Sequence, residues 1–256
     1  ARSRASASPE AVVLALDGLK TVLAALGRPD QLREVTDELE PMLRRRRSTW
    51  LLQWTVYESS FVAAATGDWA AARERVDLAI GLNQRSGYSA YAGFFRANRG
   101  WFARLAGDLE AALADGRRAV QETARVEHPW WHATAAGLYA ATLIEVGRRE
   151  EAAELARQGL ASTSRWSAPS SRLRCLAPLA LAGGDTGVLT EATRLVSAVD
   201  APPGAAWVAG SDTYLLVARA WAAHEPARAA SVLAPLLAAT TASWAPIHSS
   251  AEAVQG

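Results

Sequence analysis

The stretch Gly67-Asp68-Trp69-Ala70-Ala71-Ala72 returns forty residues later as Gly107-Asp108-Leu109-Glu110-Ala111-Ala112, and again as Gly147-Arg148-Arg149-Glu150-Glu151-Ala152. Gly27 and Gly187 extend the series in both directions at the same spacing. Five positions after each glycine stand Leu32, Ala72, Ala112, Ala152 and Ala192, and twelve after stand Leu39, Ala79, Ala119, Gly159 and Val199. Eighteen after, four units carry Arg45, Arg85, Arg125 and Arg165, and the fifth has Ala205. A sixth unit fits with a register three residues shorter, placing His224, Ala229 and Leu236 at the equivalent points.

Each unit reads as two helices. Glycine takes the left-handed conformation that ends one helix, and the following Asp68 or Asp108 caps the next. Segments such as Trp54 to Thr66 and Thr134 to Val146 lead into the corner, and Asp68 to Asn83 and Arg148 to Ser162 lead out of it. Alanine, leucine, arginine and glutamate dominate both, and these are strong helix formers. The small residues at the fifth and twelfth positions lie about two turns apart on one helix face, which lets two helices approach closely. One hairpin cannot bury both of its apolar faces, whereas a stack of hairpins does. No sustained strand alternation competes. The expectation is an all-α solenoid of about six antiparallel hairpins over residues 11–243, with units near 11–48, 49–88, 89–127, 128–165, 166–203 and 204–243. Residues 1–10 and 244–256 read as tails. Pro178 and Gly183-Gly184 predict a short or broken first helix in the fifth unit.

Composition narrows the function classes. The 256 residues are half apolar with a net charge of +1, and Lys20 is the single lysine among 27 basic residues. A near-neutral chain is a poor general binder of nucleic acid or anionic membranes. Cys175 is the only cysteine, which excludes internal disulfides and fits a reducing, cytoplasmic setting. No apolar run approaches a membrane span, the longest being Leu176 to Ala182. There is no G-x-x-x-x-G-K-[ST] phosphate loop and no G-x-S-x-G nucleophile turn. His128 and His132 are four apart, but zinc wants three or four ligands and no further donor stands at suitable spacing. Neither a metal nor a cofactor is expected, and no catalytic residues are assigned.

Gly67 through Ala72 with Val76, Ala79 and Ile80, and the matching residues from Gly107 and Gly147, resemble the second half of a tetratricopeptide repeat (TPR). The period is 40 rather than about 34, and only Gly100 occupies the small-residue position of the first-helix signature. Alanine- and arginine-rich repeats of this length are similar to the helical sensor regions of large bacterial regulators, such as LuxR-type, maltose-activator-like ATPases. The resemblance implies a right-handed superhelix that binds a small-molecule inducer or a protein or peptide partner. It also implies covalently linked ATPase or DNA-binding modules outside this chain. A free-standing adaptor for a protein partner is the first alternative, and a helical enzyme is the second.

In such a superhelix the first helix of each unit lines the concave face. Positions 13, 10 and 6 before each glycine then select Trp54, Tyr57 and Phe61 in the second unit and Phe94 and Trp101 in the third. Arg104 stands three before its glycine, as a group to hold a polar or anionic moiety. Thr134, Gly137 and Ala141 of the fourth unit leave room opposite. Large apolar walls with one convergent charge have the profile of a ligand or peptide site. The same aromatics also suit packing between repeats, and periodicity does not separate the two roles. A second aromatic set, Trp50, Tyr88, Tyr91, Trp130, Trp131, Trp166, Trp207 and Trp244, falls at unit joints, where an indole N–H reaches a carbonyl across the seam. Arg45, Arg85, Arg125 and Arg165 form either an edge ladder for an acidic segment or simple complements to helix C-termini.

Overall fold

The computed structural model describes residues 8–87, 89–126, 128–163, 169–183, 186–198, 207–240 and 244–255, and these are all-helical, with consecutive helices packed on one another. Helices α1 (Pro9–Ala25) and α2 (Pro29–Arg46) form the first pair. They are followed by α3 (Thr49–Ala65) and α4 (Trp69–Arg85), then α5 (Ala92–Leu105) and α6 (Leu109–Ala124). The series continues with α7 (Pro129–Glu145) and α8 (Arg149–Ser162), α9 (Pro169–Leu181) and α10 (Thr186–Ala198), and α11 (Trp207–Ala222) and α12 (Pro226–Thr240). A last helix, α13 (Ala245–Gln255), ends the described chain.

The corners follow from the local sequence. Gly27, Gly67, Gly107 and Gly147 all have positive φ, between 62° and 81°. At each corner the residue after the glycine donates its N–H back across the turn: Arg28 to Leu23, Asp68 to Ala63, Asp108 to Ala103 and Arg148 to Leu143, at 2.9–3.0 Å. That bond closes the glycine-terminated helix end. Asp68 and Asp108 then cap the next helix, their Oδ1 atoms accepting from Ala71 and Ala111 N–H at 3.0 and 3.1 Å. Pro9, Pro29 and Pro129 sit in first turns, where the missing N–H costs nothing. Four of these helices are 17 residues long, and α2 is 18.

The fifth unit departs from the expected register. Gly187 lies inside α10, and the corner is made by Gly183 at φ 108°. Helix α9 is short, as expected, at 13 residues, but it runs through Pro178 without a break. Trp244 and Ile247 are buried, and α13 packs against α11 and α12, so Ala245–Gln255 is a docked helix where residues 244–256 were expected to be a tail. The apolar Trp244, Ile247 and Ala251 supply the face that makes this docking favourable.

The positions chosen for close helix approach are buried. Leu32, Leu39, Ala72, Ala79, Ala112, Ala119, Ala152 and Ala192 are all at or near zero exposure, as are Ala229 and Leu236 in the sixth unit. A Cβ at Gly159 would stand 2.7 Å from Ala136 Cβ and 2.8 Å from Cys175 Sγ, so α8 sits tightly on both α7 and α9. Val199 and Arg165 lie outside the described residues, as do Tyr88 and Trp166.

The first helices of the hairpins pack on one another along an inner layer: α1 on α3, α5 on α7, α7 on α9 and α9 on α11. Contact between α11 and α1 brings the late helices back to the first hairpin. The indole Nε1 of Trp244 donates to the Gly27 carbonyl at 3.3 Å, across 217 residues of sequence. Arg104 of α5 holds Asp212 of α11 at 2.5 Å, and Arg219 of α11 holds Glu145 of α7 at 2.5 Å. The inner layer thus encloses its own axis.

Candidate functional site

Residues from α1, α3, α5, α7 and α9 converge on one cavity of about 230 Å³. Its walls are Trp54, Tyr57 and Phe61 of α3, Phe94 of α5 and Trp130 of α7, with Ala24 and Ala25 of α1 leaving space opposite. Thr21, Glu58, Thr134 and Arg174 supply the polar lining. Thr21 and Trp130 are the solvent-exposed members of the set, the tryptophan at 39 %, and they mark the mouth between α1 and α7.

Four of the lining residues share one register position. Trp54, Phe94, Thr134 and Arg174 stand 40 residues apart, each 13 before a glycine of the series. Consecutive inner helices therefore present equivalent positions to the same axial space. The side chains differ where the backbone repeats: two aromatic walls, one hydroxyl and one cation.

The aromatic walls are also packing residues. Tyr57 meets Trp54, Phe61, Phe94 and Phe95 with ring centroids 4.8–5.8 Å apart, mostly edge to face. Trp54 contacts Tyr91, Phe94 and Phe95 across the α3–α5 seam. Groove and seam are thus served by the same rings, the cavity being where the seam fails to close. Trp101 takes only the packing part: it is buried against Phe61 and Phe102 and does not line the cavity.

Arg104 is likewise committed elsewhere. Its guanidinium is shared between Asp212 at 2.5 Å and Glu145 at 3.8 Å, away from the cavity lining. The cation at the cavity is Arg174, which the sequence reasoning missed. The available signal was the 40-residue step from Thr134, obscured by the proline and glycines that made the fifth unit look irregular.

Two residues that line the cavity have hydroxyls buried without a hydrogen-bond partner: Tyr57 Oη and Thr134 Oγ1. Their residues are 3 % and 2 % exposed. Burial pushes the Tyr57 phenol well above its usual range, so it stays a neutral donor, and the nearby Arg174 opposes that shift only in part. Burial lowers the Arg174 guanidinium from its ordinary value, with Tyr57, Asp212 and Cys175 acting in the other direction. Buried hydroxyls are costly unless something satisfies them.

The acidic member of the lining is already matched. Glu58 Oε2 accepts from Lys20 Nζ at 2.5 Å, and Thr21 Oγ1 donates to Glu58 Oε1 at 3.0 Å. Asp17 stands 3.0 Å from the same ammonium. Burial pushes the Glu58 carboxyl upward, while Lys20 and Thr21 pull it down. The only lysine of the chain is therefore a buried counter-ion that ties α1 to α3.

Other groups singled out in the sequence have the following surroundings. Cys175 is buried, its thiol donates to the Ala133 carbonyl at 3.3 Å, and burial pushes its pKa up to about 12. His128 stacks on Trp131 with centroids 4.0 Å apart. His132 Nδ1 lies 3.3 Å from Thr123 Oγ1, and burial lowers its pKa. Among the described residues no cluster of three His, Cys, Asp or Glu is arranged to hold a metal. Arg45, Arg85 and Arg125 are exposed at the ends of α2, α4 and α6, where a cation complements the helix C-terminus. Among the described residues no helix is long and apolar enough to cross a membrane. No protein-family profile matches the chain, and no curated protein shows significant similarity to it.

Proposed function

We propose that this chain is a non-catalytic sensor domain that captures a small molecule at the axis of its helical array. The observation that carries the reading is the cavity itself: five inner helices from successive hairpins converge on it, with aromatic walls and two unpartnered buried hydroxyls. Convergence of distant repeats on one ligand is a mechanism for sensing, since occupancy then couples α1 to α9 and biases how the array winds. In this reading the array is a right-handed, TPR-like superhelix with a 40-residue unit. It serves a bacterial signalling or transcriptional regulator in the cytoplasm, with ATPase or DNA-binding modules linked to it outside this chain. A cavity of about 230 Å³ suits a compact ligand better than the extended peptide a free-standing adaptor would hold.

Ala25→Phe tests the reading, because the new ring fills the cavity from the α1 side. A library of small metabolites screened by thermal unfolding is expected to yield compounds that stabilise the wild type and not the variant. A ligand at about 100 times its Kd adds roughly 2.7 kcal/mol of stability, well within such an assay. Equal stabilisation of both proteins, or binding confined to polypeptides, would overturn it.

A further inference from the structure

We propose that the cavity takes an uncharged, flat, apolar molecule, a benzene ring with one smaller ring fused to it. The inference rests on the ligand-binding reading above and adds the chemistry of the ligand.

The polar groups around the cavity are already engaged inside the fold. Both carboxylate oxygens of Glu58 accept hydrogen bonds, Oε2 from Lys20 Nζ and Oε1 from Thr21 Oγ1. Thr21 therefore directs its hydroxyl hydrogen at Glu58, and Lys20 is shared between Glu58 and Asp17. Arg174 is buried and held within the fold, with Asp212 among the charges that act on it. Tyr57 Oη and Thr134 Oγ1 have no accessible surface, so neither hydroxyl is offered to a ligand. What remains turned to the cavity is overwhelmingly carbon. A ligand group that gives up its water here finds no replacement partner, and that is costly for a hydroxyl or amide and more so for a charge. Apolar surface carries no such cost and gains by leaving water.

Size and shape follow from the walls. An apolar cavity of about 150 Å³ holds benzene, so one of about 230 Å³ has room for a second, smaller ring. Trp54 and Trp130 flank Phe94, with ring planes inclined to it by 45° and 38°. A flat π-system meets these faces and edges with better geometry than a branched aliphatic body of equal volume. Ala24 and Ala25 of α1 leave the opposite side open for it.

Three fused bicycles of nearly one shape test the proposal by isothermal titration calorimetry at pH 8: indane, indole and benzimidazole, with no, one and two ring nitrogens. Indane is expected to bind most tightly and benzimidazole at least about tenfold more weakly, with indole between them, because each nitrogen loses water and gains no partner. Indane-2-carboxylate and 2-aminoindane put either charge on the same body, and each is expected to bind at least about tenfold more weakly than indane. Ala25→Phe fills the cavity and should abolish indane binding. Trp130→Ala removes a wall at the exposed mouth without adding bulk to the interior, and should weaken indane about tenfold. If benzimidazole, a charged body or a polar compound from the thermal screen binds as tightly as indane or more so, the apolar assignment is overturned, and the sensor reading survives where Ala25→Phe abolishes that binding. Indane binding that both variants leave intact, or no binding by these probes or by any other small molecule, overturns both.

Discussion

Gly137→Ala is the substitution for which the structure gives the sharpest expectation. Gly137 lies in α7, where a Cβ would stand 2.3 Å from the Arg174 carbonyl oxygen, 2.7 Å from its carbonyl carbon and 3.1 Å from its Cβ. Ordinary contact begins about 1 Å further out, so α7 and α9 must separate by that much. Neither offending backbone atom can swing aside, unlike the Tyr139 ring that crowds Gly116. Overpacking of this kind costs about 1–3 kcal/mol, and the better helix propensity of alanine offsets about 1 kcal/mol of it. The expected net loss is about 0–2 kcal/mol, read as a lower urea midpoint at unchanged slope. Gly18→Ala supplies the opposite sign from the same chemistry. Nothing lies within 4 Å of a Cβ at Gly18 in α1, so only propensity acts, and the protein should gain about 0.5–1 kcal/mol. Because the clash is with Arg174, which lines the cavity, Gly137→Ala should also weaken binding of any small molecule held there, which Gly18→Ala should not. A Gly137→Ala protein as stable as the Gly18→Ala protein would refute the claim that α7 and α9 meet backbone to backbone at this cavity.

Other perturbations address the frame of the site. Lys20→Met removes the counter-ion of buried Glu58 and should destabilise by about 3–5 kcal/mol in urea; adding Glu58→Leu should restore most of that, and failure to do so would refute the ion-pair account. Burial raises the Glu40 carboxyl, but hydrogen bonds from Arg75 and Arg44 outweigh it and hold the pKa below 4.5. The stabilisation from those contacts is present above pH 4.5 and is lost as pH falls through the depressed value; melting curves between neutral and acid pH should therefore fall less steeply for Glu40→Gln. Trp244→Ala empties the contact with Gly27 and should cost about 3–5 kcal/mol, with hydrogen exchange accelerating in α13 and at the α1–α2 corner while α7 stays protected.

Much of the fold was legible because its determinants are local. A glycine followed by a capping aspartate fixes a corner through a few hydrogen bonds, and Gly27, Gly67, Gly107 and Gly147 all make that corner. Alanines at the fifth and twelfth positions mark helix contacts for equally local reasons. The fifth unit was misread because its corner moved to Gly183, where no forty-residue partner exists to reveal it. The last helix was missed because Trp244 has its hydrogen-bond acceptor 217 residues away, beyond the reach of any pattern along the chain.

The site was half legible for a related reason. Trp54, Tyr57, Phe61 and Phe94 reach the cavity because helix periodicity orients them, whereas Trp101 and Arg104 share that periodicity and do not. What separates the two groups is how far the inner layer curves, and curvature is settled by α11 meeting α1 and by Asp212 claiming Arg104. Once the layer encloses its axis, a position repeated every forty residues becomes a ring of neighbours. Trp54, Phe94, Thr134 and Arg174 are then one site assembled from four copies of the same structural slot. The slots recur along the sequence and their side chains differ, so on the proposed reading ligand chemistry would be set by substitutions that leave the corners untouched. Exchange of Thr134 or Arg174 should accordingly change what is bound far more than how the chain folds.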